Sequence, residues 1–183
     1  MSVAQRLSVE EFSRRDWPRG TQLLDGAVVL NEPTPHHQLL ARRLERALSD
    51  WQEAHRDRGE VWPSLTLVMG EERPAPDVMW FSDPLTDEYA TETSEIPNLV
   101  VEVRSPSTWT HDRTHKRVLY ERHGVGELWL IDDASETVLR LARSAPEARH
   151  FDIEQTLAVD QMLSTPLLAG FQLPIAGLFA PRR

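Results

Sequence analysis

The chain has 183 residues, 40% hydrophobic and 27% charged, a composition that suits one compact domain and excludes a disordered polymer. Its 20 basic and 29 acidic residues leave a net charge of −9, which excludes coating nucleic acid through bulk positive charge and leaves only local basic surfaces for such a partner. With no cysteine there can be no disulfide, thiolate zinc site or cysteine nucleophile, so any metal must sit on oxygen or imidazole.

In chain order, Ser8-Val-Glu-Glu11 has the S-x-x-E spacing of a capping box and predicts a short helix ending before the Pro18–Gly20 turn. Thr21 to Leu30 reads as a β-hairpin around Asp25-Gly26, a favoured two-residue turn. Thr34-Pro35 supplies an N-cap and an N1 proline. Leu39, Leu40, Leu44, Ala47, Leu48 and Trp51 then recur at helical steps, so a long amphipathic helix is expected from Pro35 to about His55. A short strand is expected within Val61–Met69 and another after Pro76, with a polar loop from Asp83 to Pro97. Leu99-Val-Val-Glu-Val103 reads as a central strand broken by one carboxylate. A turn at Ser105–Thr108 and a helix from about Thr110 to Gly124 follow. Glu127–Asp132 and Thr137–Ala142 form a strand pair, and Phe151 to Phe179 alternates short strands and loops.

No early stretch has the apolar length of a signal peptide, and none later approaches the roughly 18 residues of a membrane span, so a cytoplasmic protein is expected. All basic residues but one are arginine; the single lysine is Lys116.

Strand alternation puts Val101 and Val103 on one face and Val100, Glu102 and Arg104 on the other. A carboxylate in so apolar a run must be paired or hold a metal. A pair with Arg104 is the plain structural reading. Asp77, which heads the preceding strand, would bring a second carboxylate if the two strands are neighbours. Two carboxylates suit Mg²⁺ or Mn²⁺ and phosphoryl chemistry. On the following helix Asp112, Lys116 and Tyr120 share a face, either as an ordinary surface ion pair or as part of a site. His37 could contact phosphate or simply sit at a helix start. Trp129 reads as core. His111-Asp-Arg-Thr-His115 would offer zinc two imidazoles, but with a short base and no third ligand.

Pro76-Asp77 with Glu102-Val103-Arg104 resembles the P-D…(D/E)-x-K signature of the restriction-endonuclease-like nucleases, with arginine at the lysine position. Pro97–Ser107, Asp112-x3-Lys116-x3-Tyr120 and Gly124–Asp132 resemble the Uma family of bacterial restriction-endonuclease-like proteins. So do the Leu24-Asp-Gly26 turn, the Pro35-His-His-Gln38 helix start and Leu178-Phe179.

The resemblance implies an α/β (α+β) fold with a restriction-endonuclease-like core, a four-stranded mixed sheet flanked by helices and extended by extra strands. It also implies Mg²⁺ or Mn²⁺ held by Asp77, Glu102 and the Val103 backbone carbonyl, a DNA substrate and a possible homodimer. Gln22 stands where family members often have glutamate, and its amide coordinates without charge. Arg104 can steady a phosphate but cannot act as a base, so the lysine function would pass to Lys116 or be dispensed with. Arg42, Arg43 and Arg46 on the long helix are candidate substrate contacts. A non-catalytic nucleic-acid-binding or assembly module on the same scaffold is the competing expectation.

Overall fold

The computed structural model describes residues 6–30, 32–87, 89–105 and 109–181; the expected turn at Pro106–Thr108 lies outside them. Helix α1 (Val9–Ser13) starts on the expected capping box, the Ser8 and Glu11 side chains each accepting from the other's backbone N–H. The hairpin β1 (Gln22–Leu24) and β2 (Ala27–Val29) turns at Asp25 and Gly26, both in the left-handed region that such turns require. Helix α2 (Pro35–Ala54) begins where Thr34 accepts from the His37 N–H, and it buries Leu40, Leu44, Leu48 and Trp51.

Six strands form the central sheet in the order β10-β9-β8-β7-β5-β3. These are β3 (Glu60–Pro63), β5 (Val78–Phe81), β7 (Leu99–Val103), β8 (Glu127–Asp132), β9 (Thr137–Ala142) and β10 (Ile153–Leu157). Only β7 and β8 run parallel; the other neighbours are antiparallel. One face packs Val78, Leu99, Val101, Val103 and Trp129 against α2 and the C-terminal helix α5 (Ile175–Phe179). The other packs Met79, Val100, Leu128 and Leu130 against Leu24, Leu67, Leu119 and Tyr120. All five residues of β7 are buried, which explains why its sequence is nearly continuous in β-branched and leucine side chains.

Three expectations need correction. The strand expected within Val61–Met69 is two: β3 ends at Pro63, and β4 (Thr66–Leu67) leaves the main sheet to pair in parallel with β6 (Glu92–Thr93). The segment expected to be a plain loop from Asp83 to Pro97 therefore contains a strand. The helix after β7 is not regular: α3 (Trp109–His111) passes through a π-helical turn (Asp112–Lys116) into α4 (Arg117–Arg122). The tail adds β11 (Met162–Leu163) paired with β12 (Leu173–Pro174). Among the described residues no helix is long and apolar enough to cross a membrane.

The connection from α2 into β3 depends on Gly59, at φ +83°, where a Cβ would lie 2.0 Å from the Phe81 carbonyl oxygen. Backbone strain of this kind costs roughly 1–3 kcal/mol even without a clash. Gly59→Ala is therefore expected to lower the urea midpoint by the equivalent of at least ~2 kcal/mol. A variant with the parent midpoint would show that the α2–β3 connection can reorganise.

Candidate active site

The antiparallel register pairs Val78 with Val101, and one step further along it places Asp77 across from Glu102. Two hydrogen bonds fix that extension. The Asp77 N–H donates to the Val101 carbonyl at 3.1 Å, and the Val103 N–H donates to Asp77 Oδ2 at 2.7 Å. The flanking Pro74 and Pro76, both buried, hold the entry to β5 extended. A PD dipeptide thus becomes a rigid carboxylate mount at the edge of a central strand.

Glu102 is buried on the sheet face that carries Val100 and packs against Tyr120 of α4. Its Oε1 accepts from the Tyr120 hydroxyl at 2.6 Å and from Lys116 Nζ at 2.9 Å. Lys116, only 1% exposed, also lies 2.9 Å from Asp112 Oδ1. The segment that carries these residues includes a π-helical turn, the wider turn that spans Asp112 to Lys116. Lys116 and Tyr120 meet the Glu102 carboxylate, and Asp112 joins through Lys116. Of the two readings of Asp112, Lys116 and Tyr120, the surface ion pair is ruled out, because the residues form a buried network.

On the Asp77 side, His37 Nε2 sits 3.2 Å from Asp77 Oδ2 and the imidazole is buried. Burial opposes its protonation, but Asp77 and the Val103 backbone outweigh that and hold its pKa above the usual histidine value. Glu102 is pushed up to about 8, first by burial, which Lys116 opposes, and then by Asp112 and Asp77. Burial would depress the Lys116 ammonium, yet Glu102 and Asp112 reverse the balance and keep it firmly protonated. Tyr120 is raised well above its ordinary value by burial and by Glu102.

Gln22 also reaches this region. On β1 it shares a face with Leu24, which packs into the Tyr120 and Val100 cluster, and its Oε1 accepts from the Ala75 N–H at 3.0 Å. Its Nε2 is fully buried without an acceptor among the described residues. A buried donor left unpaired costs about 1–3 kcal/mol, so an incoming oxygen is the natural partner. The carboxylate oxygens of Asp77 and Glu102 are hard donors of the kind Mg²⁺ or Mn²⁺ takes, and such ions need only one or two of them beside water. Among the described residues no three histidine or carboxylate side chains form a metal cage. The donor set fits a water-rich hard cation and not a closed structural site.

Other candidates lie elsewhere. Arg104 does not pair with Glu102; its Nη1 donates to Asp132 Oδ1 at 2.8 Å, one strand away. Arg43 is structural, its Nη1 donating to the Leu178 and Ala180 carbonyls at 2.6 and 2.7 Å. The zinc reading fails because His111 is exposed while His115 bonds Glu72. Trp129 is core, as expected, stacked on Phe171. A cleft of about 400 Å³ opens beside Asp77 and His37, bordered by Arg19 and Arg42. The sequence pointed to Arg42 but not to Arg19, which follows α1 in a turn with no pattern to mark it. Trp109 also went unmarked, although Arg104 and Arg113 each place a guanidinium within 6 Å of its ring, at 5.9 and 5.8 Å.

Comparison with known proteins agrees with this architecture. A family model described as "Uma2: Putative restriction endonuclease" matches residues 9–176. Among solved structures, a putative nuclease belonging to DUF820 from Anabaena variabilis ATCC 29413 aligns with a TM-score of 0.79 at 18% identity, covering 95% of this chain and 98% of that one. At that identity the likeness is one of fold. No curated protein matches the chain.

Proposed function

The chain belongs to the Uma2 family of putative restriction endonucleases, and from that premise we propose that it is a Mg²⁺- or Mn²⁺-dependent nuclease hydrolysing phosphodiester bonds of DNA. The observation that carries the reading is the pairing of Asp77 with Glu102 across β5 and β7, with Lys116, Tyr120 and His37 converging on the two carboxylates. Asp77, Glu102 and the Val103 carbonyl would hold the cation. When bound, it would neutralise charge developing on the phosphate and lower the pKa of a water.

The chain's own groups have distinct tasks in this scheme. The Val103 N–H and His37 fix the Asp77 carboxylate from two sides, which leaves Oδ1 toward the cleft. Lys116 and Tyr120 both occupy Glu102 Oε1, which orients the carboxylate and leaves Oε2 for a cation. Lys116 is buried and spends two of its three N–H donors on Glu102 and Asp112, so its part is to hold Glu102 in place. It is thus a positioning residue first, and it replaces the lysine that Arg104 displaces. Gln22 Nε2 supplies a neutral donor for an incoming oxygen. Arg19 and Arg42 at the mouth of the cleft give the acidic chain a local anion-attracting surface.

Asp77→Asn tests this. Asparagine keeps an oxygen for the Val103 N–H, so the thermal midpoint without metal should stay within a few degrees of the parent. Plasmid cleavage in Mg²⁺ or Mn²⁺ should fall at least 10³-fold, roughly the effect of removing a group that stabilises a transition state. The metal-induced rise in melting temperature should vanish with it. Cleavage retained by Asp77→Asn would overturn the assignment. A parent protein that neither cleaves DNA nor responds to metal would establish the binding or assembly module instead.

A further inference from the structure

The face of the sheet that carries Glu102 continues sideways into a second hollow that the proposed cleavage site does not use. The register pairs Glu102 with Leu130, Leu130 with Leu139, and Leu139 with Thr156, so these side chains form one row across β7, β8, β9 and β10 on a single face. Asp132 and Thr137 form the next row on that same face. Trp109 and Arg113, on the segment that also delivers Asp112 and Lys116, close over these rows. The result is a cavity of about 240 Å³ lined by Trp109, Arg113, Leu130, Asp132, Thr137 and Leu139. It begins at Leu130, one strand spacing or ~4.8 Å from the strand of Glu102.

We propose that this hollow is a nucleobase subsite beside the scissile phosphate, and that the substrate is therefore single-stranded or locally unpaired DNA. The proposal rests on the nuclease reading only for the identity of its occupant. Four features fit a base. Leu139 and the edge of buried Leu130 give the hollow an apolar side, and the Trp109 indole lines it as a surface on which a base can stack. Asp132, whose Oδ1 accepts from Arg104 and the Ala134 N–H, and the Thr137 hydroxyl, paired with Ser135, also line it, and a carboxylate there can accept from an exocyclic amino group. The Arg104 guanidinium holds Asp132 ionised against the opposing effect of partial burial. Arg113 is exposed, sits 5.8 Å from the Trp109 ring centroid and joins no ion pair among the described residues, which leaves its donors for a phosphate adjoining the base.

Size argues for an unpaired strand. The cavity admits one base and not a base pair, so a nucleotide within a duplex would have to leave its stack to enter, which costs unstacking energy that a single strand does not incur. A duplex held only along its backbone would have no use for a pocket lined by leucine.

Anisotropy of a short labelled single strand and of its duplex, measured in EDTA at fixed salt with the full chain, tests the idea. The parent should bind the single strand at least 10-fold more tightly than the duplex. Trp109→Ala and Arg113→Ala should each weaken single-strand binding by roughly 10- to 100-fold while leaving duplex binding unchanged, and Trp109→Phe should retain most of the affinity. Melting curves identify any variant that fails to fold, and Arg113→Ala, at an exposed position, carries the test if Trp109→Ala does fail. Parent-like single-strand binding by Arg113→Ala and by folded Trp109→Ala alike, together with no preference for single strands, would overturn the subsite. Cleavage assays in Mn²⁺ separate the two readings. Parent cleavage with an unchanged KM in Arg113→Ala removes the subsite and keeps the nuclease. Trp109-dependent binding without any cleavage keeps the subsite and removes the nuclease.

Discussion

Lys116→Met is expected to lower the unfolding free energy by about 3–5 kcal/mol, the usual result of removing one partner from a buried ionic cluster. For a chain of this size that is a melting-temperature loss of roughly 6–20 °C. Lys116 is 1% exposed and lies 2.9 Å from carboxylate oxygens of both Glu102 and Asp112. Methionine fills a similar volume, so the loss is electrostatic and not a cavity effect. The variant therefore keeps two carboxylates in a low-dielectric interior without their cation.

The pH dependence gives this prediction its sign. Glu102 already stands at about 8, raised by burial and by Asp112 and Asp77 against the pull of Lys116. Without the ammonium it must rise further. A carboxyl whose folded-state pKa exceeds its unfolded value favours folding below the unfolded value and penalises it as pH climbs toward the folded one. The gap between Lys116→Met and the parent should therefore widen as pH rises through about 8, as read by urea unfolding below and above that value. Adding Glu102→Gln to Lys116→Met should recover much of the loss. A variant as stable as the parent at pH 8 would mean the ammonium is not integral to the fold. The same result bears on catalysis, because an inactive Lys116 variant is informative only when its folded fraction is known.

The elements with strong local signals were legible in the sequence. The capping box at Ser8, the Asp25-Gly26 turn, the Thr34-Pro35 helix start and the apolar run of β7 each carry a backbone rule that tertiary packing did not override. The division of Val61–Met69 was not legible, since its residues favour extended backbone throughout. Only the parallel partner at Glu92–Thr93 draws β4 away from β3. Nor was the π-helical turn, because a helix wheel assumes one pitch, and the contact of Lys116 with Glu102 is a long-range fact.

For the site, the two carboxylates could be named because a charge in a buried strand demands an explanation, and a strand neighbour supplied the other. The partner of Arg104 could not be read, since residues two apart on a strand face the same way but need not touch, and Asp132 on the parallel strand β8 lies closer to the guanidinium. Arg43 illustrates the same limit. Its position on the long helix suggested substrate contact, yet the orphan carbonyls at the end of α5 claim it.

Arg140→Met should match Lys116→Met in lost stability, about 3–5 kcal/mol, while leaving catalysis per folded molecule unchanged. Glu127, 1% exposed at the start of β8, accepts from Arg140 Nε at 2.7 Å, Arg140 Nη2 at 2.8 Å and the Thr165 hydroxyl at 2.7 Å, and also from the Trp129 indole. Every acceptor position is filled from within the fold, so this network has nothing to offer a ligand. Removing the guanidinium deletes the two charge-assisted bonds and leaves the carboxylate buried beside two neutral donors. The Asp77 and Glu102 network differs because it opens on a cleft at Asp77 and His37. On the proposed reading Glu127 serves the fold and Glu102 the site, and satisfaction rather than burial tells them apart. A double-mutant cycle with Glu127→Gln should show a coupling above about 1 kcal/mol in urea unfolding. Cleavage rates corrected for folded fraction should stay within about 2-fold of the parent. A fall in kcat well beyond that in folded Arg140→Met would mean that the two networks are coupled through β8, and that the division between them is wrong.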